Sequence, residues 1–110
     1  MLIVEIYSHD LCIGEVALTD IDEGMGVASG RFSPSPSYAK VRQEITRGAE
    51  ARARGEVSSG IELEARTKSG ERIEVGFITI DDFADVNVDP EATVQFENRE
   101  QVLRLFRSSI

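Results

Sequence analysis

A chain of 110 residues carrying twelve basic and twenty acidic side chains, for a net charge of −8, is sized for one domain around one core. An apolar share of 41% beside 29% charged residues excludes a disordered chain. The negative balance excludes the basic footprint by which proteins grip nucleic acid, and it disfavours anionic membrane surfaces.

Leu2 to Ser8 is rich in β-branched residues and reads as a strand, although Leu2, Ile3, Val4 and Ile6 do not alternate strictly. Ser8-His9-Asp10 reads as a turn into a second strand from Leu11 to Thr19. Leu11 and Ile13 share a face there, and Gly14 marks a bulge that shifts the alternation before Val16 and Leu18. These strands form an N-terminal hairpin. The acidic stretch Asp20 to Gly24 reads as a turn, and the glycines of Met25-Gly26-Val27-Ala28-Ser29-Gly30 exclude a comfortable helix. Arg31 and Phe32 start a short strand.

Ser35 is placed to cap a helix with Pro36 at its first position, where the missing N–H costs nothing. Tyr38, Val41, Ile45 and Ala49 recur at helical spacing as far as Gly55, a terminator. Their stripe is narrow and broken by Gly48, which predicts a helix lying on a sheet. Ile61 to Arg66 alternates strictly, Lys68 to Glu71 turns, and Ile73, Val75 and Phe77 carry the pattern to Ile80, predicting a second hairpin. Ala92 to Glu97 is a further strand with Val94 and Phe96 on one face. Asn98 and Gln101 resemble a capping box, ahead of a short amphipathic helix with Val102, Leu103, Leu105 and Phe106. The expected fold is a single α+β domain over residues 1–110. Its antiparallel sheet has five or six strands, with one central and one C-terminal helix covering one face.

Several clusters invite chemistry. Asp85-Val86-Asn87-Val88-Asp89 sets oxygen side chains at alternate positions, as an EF-hand loop begins. The glycine such a loop needs is replaced by Pro90 and its closing glutamate by Phe96, so the stretch reads as a solvated acidic connector. Asp81 and Asp82 extend it, and with Asp85 would serve a metal-dependent hydrolase only if the fold gathered them in one pocket. His9 is the sole histidine and Cys12 the sole cysteine. They read as a turn residue and a small strand side chain rather than a nucleophile pair. The glycines of Gly24 to Gly30 miss the dinucleotide fingerprint by one position, and Ser33 to Pro36 separate them from the helix. The central helix carries Lys40, Arg42, Arg47, Arg52 and Arg54 against Glu44 and Glu50. That basic run reads as a solvated back with pairs such as Glu50–Arg54.

The segment Met25-Gly26-Val27-Ala28-Ser29-Gly30, followed by Phe32, Pro34 and Tyr38, resembles one found in small bacterial proteins of unknown function. The resemblance implies a hairpin before the segment, with a hairpin and terminal strand after it, and it carries no activity or cofactor. By itself the segment either packs a fixed loop on the sheet, which we favour, or rims a groove.

A lone cysteine fits a reducing compartment. No basic stretch precedes the apolar start, and no run approaches about 18 apolar residues. The expectation is therefore a cytoplasmic, non-catalytic module that binds another protein or a second copy of itself. Asp81, Asp82, Asp85, Asp89, Val102, Leu105 and Phe106 are the candidate contact residues. No cofactor, metal, nucleic acid, membrane or small-molecule ligand is expected. The alternatives are a small metal-dependent hydrolase using the acidic connector and an immunity-type protein whose acidic face neutralises a basic toxin.

Overall fold

Two consecutive residues, His9 and Asp10, take positive φ angles (48° and 65°), the conformation that lets a two-residue turn match the twist of its strands. They join β1 (Leu2–Ser8) to β2 (Leu11–Asp22). Ile6 pairs with Gly14 and Tyr7 with Cys12, so Ile13 is the extra residue of a bulge. The bulge lets Ile13, Val16 and Leu18 all turn inward and be buried, as the parity change at Gly14 predicts. The computed structural model describes residues 1–56, 61–83 and 89–108.

β2 runs three residues further than expected, so Asp20, Ile21 and Asp22 lie in a strand rather than a turn. They pair with β3 (Val27–Pro34), which starts earlier than Arg31. The glycines that exclude a helix here are compatible with a strand, because Ala28 and Gly30 face inward where space is short. A side chain at Gly30 would run into the Ala17 carbonyl of β2. The turn itself is Glu23 to Gly26, with Gly26 at φ 66° and the Asp22 carboxylate accepting a hydrogen bond from the Met25 N–H at 3.1 Å.

The helix foreseen from Pro36 is two pieces, a 3-10 turn (Pro36–Lys40) and α1 (Arg42–Ala53), the latter ending before Gly55. Ser35 holds the N-cap position but does not cap. Its hydroxyl donates to the Cys12 carbonyl at 2.7 Å and its N–H to the Ile13 carbonyl at 2.9 Å, which pins the turn to the β2 bulge.

β4 (Glu64–Thr67), β5 (Arg72–Ile73), β6 (Val75–Asp81), β7 (Glu91–Phe96) and α2 (Arg99–Ser108) complete the described elements. The sheet has seven antiparallel strands in the order β5-β4-β1-β2-β3-β7-β6. The expectation of five or six fails because the stretch read as one strand from Ile73 to Ile80 divides at Glu74. Arg72 and Ile73 pair with β4, and Val75 onward pairs with β7. β5 and β6 stand at opposite ends of the strand order, yet one residue, Glu74, separates them in the chain. The bent stretch Arg72–Asp81 therefore draws the sheet's two ends together, and β4 packs against β6, giving a nearly closed barrel. A further bulge at Gly76 reverses the alternation, leaving Phe77 exposed while Ile80 is buried.

Inward residues of the strands, among them Val4, Ile6, Val16, Leu18, Phe32 and Val94, form one buried cluster. Ile45 of α1 and Leu105 of α2 join it, so both helices cover the interior side of the sheet.

Candidate functional site

β1 begins at Leu2, opposite Leu18, whereas the β2–β3 ribbon runs on from Asp20 to Val27, with β7 paired along the far side of β3. The ribbon thus projects past β1, and its β2 edge has no strand beside it there. α2 lies under it. Ile21, Met25 and Val27 of the ribbon, Phe96 of β7, and Val102, Leu103 and Phe106 of α2 line an apolar groove of about 400 Å³. Ile21 is 49% exposed, Met25 67% and Leu103 42%. Asp22, Glu23 and Glu97 stand on its rim with a single cation, Arg99.

The groove's far wall is held firmly. Asn98 caps α2 by accepting the Gln101 N–H at 3.0 Å, and its amide donates to the Glu74 carboxylate at 2.6 Å. Gln101 does not complete the box expected with Asn98. Its side chain accepts the Glu74 N–H at 3.0 Å and donates to the Arg72 carbonyl at 2.9 Å, tying the helix to the bend in the barrel. Arg104 pairs with Glu71, and this guanidinium, helped by Gln101, holds the Glu71 carboxyl below the usual range. The Phe106 ring meets Phe96 edge-on, with centroids 6.4 Å apart.

Of the apolar residues singled out in the sequence, Val102 and Phe106 line the groove. Leu105 does not. It turns into the core and is 6% exposed, because on a helix the residue beside Phe106 points elsewhere. Leu103, Ile21 and Met25 were missed. Leu103 is legible in hindsight from its helical spacing to Phe106, and Met25 as an apolar side chain set in an acidic, glycine-rich turn. The Met25–Gly30 segment is not a loop laid on the sheet: Val27 to Gly30 belong to β3 within it, while Met25 and Gly26 line the groove.

The acidic connector is engaged within the fold. Arg52 of α1 holds Asp81 at 3.0 Å and also bonds the Ile80 carbonyl. Asp82 is buried, accepts the Tyr38 hydroxyl at 2.6 Å, and has Arg42 at 3.4 Å. Asp89 pairs with Arg31 of β3 at 2.8 Å. Asp85 and Asn87 lie outside the described residues. Two residues of the basic run, Arg42 and Arg52, thus meet acids at the end of β6 and just beyond it, while Arg54 pairs with Glu56 rather than with Glu50. His9 is exposed in its turn, and the Cys12 thiol donates to the Gly14 carbonyl at 3.6 Å. Among the described residues, no three His, Cys, Asp or Glu side chains converge as metal ligands.

A second cleft of about 420 Å³ lies between α1 and β6, but its one cation, Arg52, is already held by Ile80 and Asp81. No protein-family model, curated protein or solved structure gives a significant match to this chain. Among the described residues, no helix is long and apolar enough to cross a membrane.

Proposed function

We propose that this chain is a non-catalytic protein-interaction module whose contact surface is the groove between the β2–β3 ribbon and α2. The observation that carries the reading is the convergence of Ile21, Met25 and Leu103, three large apolar side chains left exposed in one concave place. Scattered apolar residues on a surface need no explanation, but a lined and braced apolar groove is the usual form of a recognition site. Of the acids a hydrolytic reading would use, the described ones, Asp81, Asp82 and Asp89, are paired with Arg52, Arg42 and Arg31, which leaves the groove as the better-supported site. We read the module as cytoplasmic, in keeping with one thiol engaged by a backbone carbonyl. An immunity-type role against a basic toxin is a narrower form of the same reading, favoured by the acidic rim.

The test compares the wild-type chain with M25E/L103E, two changes at exposed positions, as baits in lysate of the source organism. Partners captured by the wild type and lost with the variant support the groove. The same proteins captured by both would remove it.

A further inference from the structure

The charges around the groove bear on what it accepts. Glu23 and Glu97 line it beside one cation, Arg99, and neither carboxylate forms an ion pair among the described residues. Asp22 stands beside them with one oxygen bonded to the turn. Elsewhere, acids such as Asp81, Asp82, Asp89 and Glu71 have arginine partners within the fold. The floor beneath the rim is apolar, and about 400 Å³ is within the range of pockets that bury a compact hydrophobic group. Met25, flexible and unbranched, can adapt to more than one shape of side chain.

Two copies meeting through this face would set three carboxylates and one arginine against the same set, and the net like charge opposes the contact. An anionic lipid surface or a nucleic acid would meet the same repulsion. We infer that the groove takes a cationic segment of another protein, one apolar side chain entering the floor while flanking lysines or arginines meet Glu23 and Glu97. This rests on the groove being the contact surface, as proposed above.

The probes are three labelled peptides: an amphipathic sequence of leucine and lysine, its leucine–glutamate counterpart, and a lysine-only peptide. Binding is read by fluorescence anisotropy, and its place by NMR shifts of the Met25, Val27 and Leu103 methyl groups. The leucine–lysine peptide is expected to bind and to shift those methyls. E23K/E97K should weaken it by about tenfold or more, and M25E/L103E should weaken it at least as far. E44K/E50K on α1 carries the same change of charge and should leave affinity within about twofold.

Equal binding to E23K/E97K and wild type overturns the charge recognition, while loss with M25E/L103E would still uphold the groove. Equal binding to M25E/L103E overturns both. Preference for the leucine–glutamate peptide, equal binding of the lysine-only peptide, or no binding by any of the three overturns the inference. A dimer in light scattering that M25E/L103E dissolves would name a second copy as occupant, overturning the inference but sparing the interaction reading.

Discussion

Tyr38 joins three parts of the molecule through one side chain. Its ring sits 5.2 Å from Phe32, tilted by 60°, and its hydroxyl donates to buried Asp82, 44 residues away in sequence. Burial, and then the bond to Asp82, push that hydroxyl well above the usual phenol range. A raised folded-state pKa gives stability that is whole below the unfolded value, about 10, and is lost as pH climbs beyond it. Tyr38→Phe is predicted to cost about 1–3 kcal/mol, since among the described residues Asp82 keeps only Arg42. The variant should also flatten the alkaline fall in stability. Urea melts at neutral pH and above about pH 10 check both effects. The sequence shows Phe32 and Tyr38 bracketing the prolines, because their neighbours are local. The burial of Asp82 was not legible, since nothing in a run of aspartates says which one the fold will enclose.

Among the elements, α2 is held by its apolar face, through Leu105 and Phe106, and also by its polar start. Asn98 caps the helix and also reaches Glu74, so Asn98→Ala should cost about 1 kcal/mol for the cap. Faster amide exchange in the first turn of α2 is the sign to look for. Glu71, held low by Arg104 and Gln101, works in the opposite pH sense to Tyr38. A depressed folded-state pKa gives stability that is present above the unfolded value, about 4.3, and lost as pH falls through the folded one. Glu71→Gln should therefore flatten the acid fall in stability, measured by thermal melts across that range. Features of this scale were readable where the cause is local: the Gly14 bulge, the turn ahead of Glu71, the cap at Asn98. Those set by distant partners were not. Ile73 to Ile80 alternates like one strand, and its break at Glu74 depends on β4 and β7 claiming its two halves.

The whole molecule depends on that break. Glu74 alone stands between strands at the two ends of the sheet order, so a short glycine–serine insertion after it should loosen the closure. Amides of β4 and β5 should then exchange faster while β1 to β3 keep their protection, as hydrogen exchange would show. The groove was only half legible for a related reason. Val102 and Phe106 belong to an amphipathic helix visible in the sequence, but Ile21 and Met25 join them only because the ribbon overshoots β1. The bend at Glu74 also bears on how this protein behaves in a crowd. A long free strand edge is a template that other chains copy, by strand addition or by fibre growth. Here the stretch Arg72–Asp81 turns both margins of the sheet toward each other, so β6 is packed against β4 and is less open to copying than a free margin would be. For neighbours pressed against that side of the molecule, selection falls to the shape and charge of its side chains.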